Sequence, residues 1–334
     1  MRQLDKSGHD SLFLQVLRIR EVSILILIIV VIIITGTIKP RFFSISSVRS
    51  ILLWVPLLAV IGMGEMMVII TRGIDVSVGS MVGVAGMVIG ILFRDAGIGV
   101  LAGLGIGIVV GTALGALNGY LVAWASVPPV IVTLGGLSAY RGLTFIISGG
   151  SQVNNYELPV ELIRLSQRGP FGLWTVPWIV FIMIGIVALT YFFLNYTTVG
   201  RNIYSIGNNP EAARLRGVPV KRELFILYSF TGAMCGLAAL MYASRFGFLN
   251  PGQTGSGLEL KVIAAVVIGG VTVSGGVGSV IGVLLGCFLL GTINVSLSVL
   301  GIAGTWQQAV YGFIILLAIT TDLYLQKRVK KAGS

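Results

Sequence analysis

The stretch VSILILIIVVIIITGTI, residues 22 to 38, contains no charged side chain, and runs of the same character recur down to residue 323. At 1.5 Å of rise per residue, about 20 apolar residues cross a hydrocarbon core of about 30 Å as a helix. A helix also satisfies its own backbone polar groups where no water is present. Ten crossings are expected on this basis, at 22 to 38, 51 to 71, 77 to 93, 97 to 125, 129 to 148, 175 to 195, 224 to 244, 259 to 273, 277 to 299 and 305 to 323. Period-2 alternation is not seen. The expected fold class is therefore all-α, a polytopic membrane protein with about ten transmembrane helices, some short or broken, forming one transmembrane domain over residues 1–334. A composition of 55% hydrophobic and 10% charged residues, with mean hydropathy +0.97, leaves too little polar surface for a soluble fold.

The formal charge of +11 would suggest nucleic acid in a soluble chain. Here the basic residues collect at the ends and in loops, as in cytoplasmic anchoring. Arg2, Lys6, Arg18 and Arg20 precede the first crossing, and Lys327, Arg328, Lys330 and Lys331 follow the last, so both termini are expected in the cytoplasm. The loop 196–223, with Arg201, Arg214, Arg216, Lys221 and Arg222 against Glu211 and Glu223, is expected on the same side. The balanced loop 149–174 is expected outside. Lys39, Arg41 and Arg49 then lie outside, where an interfacial helix with snorkelling side chains accommodates them. Residues 22 to 38 end without a small-residue cleavage site and are expected to be retained. Cys235 and Cys287 lack metal or redox spacing and read as small hydrophobes.

Two glycine patterns differ in kind. Gly103, Gly107, Gly111, Gly115 and Gly119 recur every fourth residue, as do Gly278, Gly282 and Gly286. Such ridges let membrane helices approach closely and gain dispersion contacts. By contrast, GIDVSVGS (73–80) and GVTVSGGVGS (270–279) cluster glycine with polar side chains between apolar runs. Gly73, Val76, Ser77 and Gly79 share their spacing with Gly270, Val273, Ser274 and Gly276, and LGALN (114–118) is echoed by LGTIN (290–294), which suggests an internal duplication. Breaks of this kind are tolerated in membranes where they line a polar path.

Enzymatic chemistry lacks its groups. The one histidine is His9 in the tail, no G-x-x-x-x-G-K-[ST] is present, and none of the lysines follows a glycine, so no phosphate-cradling loop forms here. No catalytic or metal site and no cofactor in this chain is expected. Glu65, Arg72, Asp75 and Arg141 at membrane depth leave an ion-coupled secondary transporter of a small polar solute as the alternative function.

In GRNIYSIGNNPEAARLRGVPVKRE (200–223), local chemistry predicts a short exposed helix: Asn209 as N-cap, Pro210 in the first turn, Glu211 at the positive dipole end, and Gly217 as terminator. Glu211, Ala212, Ala213 and Gly217 have the E-A-A-x-x-x-G spacing of the loop through which ABC importer permeases dock on their ATPases. With TRGIDVSVGS, VPPVIVTLGGLSAYRGL, GLELKVIAAVVIGGVTVSGGVGSVIG and WQQAVYGFIILLAI in the same order, the chain resembles the permease subunits of ribose-type bacterial ABC sugar importers, the group of ribose, xylose, rhamnose and autoinducer-2 systems. TRGIDVSVGS and QTGSGLELKVIAA look nearest to the autoinducer-2 and rhamnose members. The I-x-L-P continuation of the broader importer pattern is not found after Gly217.

The resemblance implies a multi-pass permease of the bacterial inner membrane that imports a monosaccharide or sugar-like signal by alternating access. It implies an ATPase coupling site at Asn209, Pro210, Glu211, Ala212, Ala213, Arg214 and Gly217. ATP and Mg would sit on partner ATPase subunits. The other implied partners are a periplasmic or lipid-anchored sugar-binding protein, docking over 149–174 and 245–258, and a second permease as homodimer or heterodimer. For a neutral sugar, short polar groups and aromatic faces are the expected path: Asp75, Ser77, Asn118, Ser274, Asn294, Trp306, Gln307 and Gln308. Asp75 can equally pair with Arg72 or cap a helix, Asn118 and Asn294 can bond between helices, and Trp306 can be an interfacial anchor.

Overall fold

A computed structural model of the chain describes residues 20–170 and 174–303 and, beyond them, 306–309, 312, 313, 316 and 320. Its helices are α1 (Arg20–Ile38), α2 (Ile45–Ile70), α3 (Val78–Ala96), α4 (Val100–Ala123), α5 (Pro129–Ser148), α6 (Val160–Gln167), α7 (Trp178–Tyr196), α8 (Thr198–Asn208), α9 (Pro210–Leu215), α10 (Val220–Phe246), α11 (Leu258–Ile268) and α12 (Val280–Val299). Eight of them, α1 to α5, α7, α10 and α12, are long and apolar enough to span a bilayer. The expected crossing at 259–273 is the eleven-residue α11, too short to span alone, and the one at 305–323 falls largely outside the described residues.

The bundle is built around α2, whose most apolar window is 89% buried against 22% for α1 and α4. Its residues 55–70 are buried on every face, the pattern of a helix surrounded by protein rather than lipid. Elements α7, α10, α11 and α12 pack on it. The densest packing joins α4 to α10, and its cause is the glycine ridge. A Cβ on Gly107 would meet the Gly236 carbonyl, and Cβ atoms on Gly111 and Gly115 would strike backbone at Gly232 and Tyr228. Gly103, the first member of the row, instead holds the Phe93 ring of α3. The second row packs Gly282 and Gly286 against Gly269 and Ala265 of α11, so both ridges bring backbones together as small-residue stripes do in lipid.

Irregular backbone enters the bundle at 247–257. Leu249 lies against Gly86 and Gly90, Thr254 against Gly83, and Gly255 against Gly79, so this segment descends along α3 before α11 begins. Its polar groups have partners. Arg141 Nη1 donates to Thr254 O at 2.7 Å and Pro251 O at 3.2 Å, and the Asn250 carboxamide oxygen accepts from Gly252 N and Gln253 N. The charge of Arg141 at membrane depth thus serves carbonyls that no helix satisfies.

Lys39 and Arg41 flank or lie within a 3-10 turn, Pro40–Phe43, between α1 and α2. Arg49, inside α2, donates to Ser166 O and Gln167 O and lies 4.5 Å from the Trp174 ring, so the loop 149–174 supplies its partners. Residues 149–170 and 174–177 and the 247–249 turn occupy one end of the bundle, tied together by the Val153–Leu249 bridge. The opposite end carries α8, α9 and both glycine-rich breaks.

Candidate functional site

The polar residues of the first break converge in the interior. After α2, Arg72 adopts φ +69°, a conformation that few non-glycine side chains take, and the chain reverses through Gly73 and Ile74 to Asp75. Asp75 is fully buried and its carboxylate is the node of a network. Its Oδ1 accepts from Ser77 N at 2.9 Å and Ser77 Oγ at 2.6 Å, while Asn118 Nδ2 of α4 donates to Ser77 Oγ at 2.9 Å and more weakly to Asp75 Oδ2 at 3.4 Å. Tyr140 of α5 donates its hydroxyl to Asn118 Oδ1 at 2.7 Å. The Asp75 backbone N–H donates to Glu65 Oε1 of α2 at 3.0 Å. Four elements are thereby held by five side chains, most of whose buried polar atoms are paired, while Glu65 Oε2 has no hydrogen-bond partner among the described residues. Gly136 leaves the space that this network occupies, since a Cβ there would come within 3.3 Å of Asn118 Oδ1 and Ser77 Cβ.

Sequence reading named Asp75, Ser77 and Asn118 among eight path residues without saying that they touch, and in the structure these three meet. It named Glu65 without a partner and missed Tyr140. The available signal was the spacing Thr133, Leu137, Tyr140, Thr144, which puts three polar side chains on one buried helix face. Arg72 does not pair with Asp75. Its Nε donates to Gly207 O at 2.7 Å and its Nη2 to Asn208 O at 2.6 Å, at the end of α8. Nor does the Asp75 side chain cap α3 in the usual sense, because Ser77 holds the N-cap position.

Ser274 takes the matching place in the second break but lies exposed at the bundle end, away from Ser77. Asn294 of α12 is buried and donates to Gln307 Oε1 at 3.2 Å, on the side of the bundle where Trp54 and Lys261 lie. Trp306 is 68% exposed and Gln308 is exposed. The eight path candidates therefore fall into three groups: a buried network, an exposed break residue, and a cluster near the end of α12.

At the loop end, Asn209 Oδ1 accepts from Glu211 N and Ala212 N, Pro210 opens α9, and Gly217 turns the chain with φ +84°. Ala213 is buried against Val220 and Ile206, whereas Glu211, Arg214 and Gly217 are exposed. Leu215, which composition alone did not mark, is 90% exposed in this charged surface. An apolar side chain offered to water between Arg214 and Arg216 suits a protein partner. Tyr204 of α8 donates to Gly278 O at 3.0 Å, and burial raises its hydroxyl pKa. Asn202 donates to Glu223 Oε1.

At the opposite end, a cleft of about 720 Å³ opens between the α3–α4 turn and residues 156–161, with Tyr156, Glu157 and Glu161 in its wall. Among the described residues no group of histidine, cysteine and acidic side chains is arranged to hold a metal.

Known proteins place this architecture. The family described as branched-chain amino acid transport system / permease component matches residues 47–319. The autoinducer 2 import system permease protein LsrC of Photorhabdus luminescens is 36% identical, with 94% of this chain and 93% of the relative covered. The LsrC proteins of Escherichia coli O9:H4 (strain HS) and Yersinia enterocolitica serotype O:8 are each 34% identical, covering 91% and 93% of this chain and 86% and 85% of the relatives. No solved structure matches the chain. These relatives are transport subunits rather than enzymes. The family match over most of the sequence and identities above 30% along nearly its whole length show that this chain belongs to the permease components of ABC importers, in the ribose-type sugar branch.

Proposed function

We propose that the chain is the inner-membrane permease of an ATP-driven importer for a small polyhydroxylated solute of the autoinducer-2 or rhamnose kind. The observation that carries this reading is the exposed α9 turn, with Glu211, Arg214 and Leu215 outward, on an α8 helix bonded to both helix breaks. Partner ATPases, holding ATP and Mg, grip this turn in the cytoplasm. The basic balance of residues 196–223 supports that side. A binding protein delivers solute at the other end, where the cleft at 156–161 and the loop 245–258 offer a surface. A second permease copy or homologue completes the pathway.

The packing suits alternating access. Asp75, Ser77 and Asn118 are closed against solute while α2, α4 and α5 are held together, and separation of these helices turns the same short polar groups toward the path. Asn294, Gln307, Trp306 and Gln308 line its outer part, on the side where Trp54 lies, which an imported solute meets first. A neutral polyol needs hydroxyl and amide partners that exchange readily, which suits passage better than strong ion pairs.

The test is reconstitution of the chain with its ATPase and binding protein in liposomes, measuring uptake of labelled autoinducer-2, rhamnose and ribose. Uptake should require ATP and the binding protein and favour one of the first two solutes. Accumulation by the chain alone under a proton or sodium gradient would refute the reading.

A further inference from the structure

We propose that Arg72 is the positioning residue that transmits movement of the α8–α9 loop to the buried Asp75 network, through a three-way junction of the two glycine-rich breaks and the end of α8. The inference rests on the permease reading above and adds the route by which force enters the membrane domain.

The junction is built from backbone. Gly276 N donates to Ile70 O at 2.9 Å, tying the second break to the end of α2. Gly207 is pressed against Ile70 O and Gly276, with no room for a Cβ. Tyr204, one turn earlier on α8, holds Gly278 O. Gly275 packs on the aliphatic stem of Arg72. The end of α8 therefore touches both breaks, and α9 begins immediately after Asn209.

Arg72 links this junction to the interior network by a short route along the chain. Its planar fork takes two successive carbonyls, Gly207 O and Asn208 O, which lie at the negative end of α8. Only Gly73 and Ile74 separate it from Asp75, and Ile74 O is held by Thr133 Oγ1 of α5 at 3.1 Å. A displacement of α8 thus pulls on three residues of chain that end at Asp75, whose backbone N–H reaches Glu65 of α2 and whose carboxylate reaches Asn118 of α4, itself bonded by Tyr140 of α5. The positive φ of Arg72 sharpens the point, because the backbone here favours glycine and yet carries the longest cationic side chain.

The backbone also supplies the control. Arg72→Gly removes the guanidinium while suiting φ +69°, so the fold is not strained by the change. Arg72→Lys keeps the charge and loses the fork. Both variants are assembled with the ATPase and binding protein in liposomes, and solute moved per ATP hydrolysed is measured beside ATPase content and thermal stability. Arg72→Gly is expected to retain the ATPase, its basal hydrolysis and its stability, while solute moved per ATP falls about tenfold or more, the weight of roughly one hydrogen bond to a charged group. Arg72→Lys should fall between it and the unaltered protein. A wild-type ratio in Arg72→Gly would overturn the proposal. So would a loss of uptake matched by an equal loss of assembled complex, which would make Arg72 merely structural. If the unaltered chain itself shows no ATP-dependent uptake, the permease reading fails instead, and the two failures are distinct.

Discussion

Replacing Gly111 with alanine tests the packing that organises the bundle. A Cβ on Gly111 would lie 2.8 Å from Gly236 N and 3.0 Å from Gly232 C, and nearer still to the Gly232 carbonyl oxygen. The struck atoms are backbone, so no side chain can swing away. Restoring ordinary contact from 2.8 to 3.4 Å moves α4 and α10 apart by at least 0.6 Å. Because both helices are rigid, that shift is felt at Gly107, Gly115 and Gly119 as well, and a gap of this size forfeits a quarter or more of each dispersion contact. Gly105 is on the same helix with nothing within 4 Å of its would-be Cβ. Alanine gains up to about 1 kcal/mol of helix propensity at either position. The difference between Gly111→Ala and Gly105→Ala therefore isolates the packing cost, about 1–3 kcal/mol for overpacking. The assay is unfolding of the two variants and the parent in one detergent, followed by thermal and denaturant titration. Gly105→Ala should match or exceed the parent, and Gly111→Ala should fall below it. Equal stability of the two variants would refute the claim that the ridge holds α4 against α10.

Three further outcomes are expected. Tyr140→Phe removes the donor to Asn118 Oδ1 and should cost about 1 kcal/mol, whereas Asn118→Leu leaves Tyr140 and Asp75 buried with fewer partners and should cost about 3 kcal/mol, both read by the same unfolding titration. Leu215→Asp should weaken binding of the ATPase, measured by co-purification, without lowering the stability of the permease, because the side chain is 90% exposed. Gly217→Pro imposes φ near −65° where the chain has +84°, so α9 should lose its terminating turn and ATP hydrolysis should uncouple from uptake. Unchanged coupled uptake in Gly217→Pro would remove the α9 turn from the mechanism.

What the sequence made legible was local. Apolar runs mark the eight long spans because helix formation in lipid depends on the segment's own backbone. The α9 turn is readable because Asn209, Pro210 and Gly217 act on backbone groups within a few residues. The glycine rows announce close approach but not the partner, since Gly232 and Gly236 lie more than a hundred residues from the ridge they meet. The entry segment 247–257 was hidden for the same reason, its carbonyls being satisfied by Arg141 from another helix.

The two breaks sharpen the distinction between pattern and environment. Ser77 and Ser274 share their spacing, yet one is fully buried and the other exposed. Their neighbours decide this. Val76 and Ser77 lead into α3 with Asn118 and Gly136 across from them, so Ser77 finds an amide to bond and a space without a Cβ to occupy. The second break meets α8 instead, where Tyr204 donates to Gly278 O and Gly207 packs on Gly276. Repetition therefore supplies two similar interruptions, and the helices packed against each make one an interior polar node and the other a contact for the loop at the end of α8. Because Gly276 N bonds Ile70 O, at the end of α2 just before the first interruption, movement of one interruption is expected to be felt at the other. A pull on α8 reaches both.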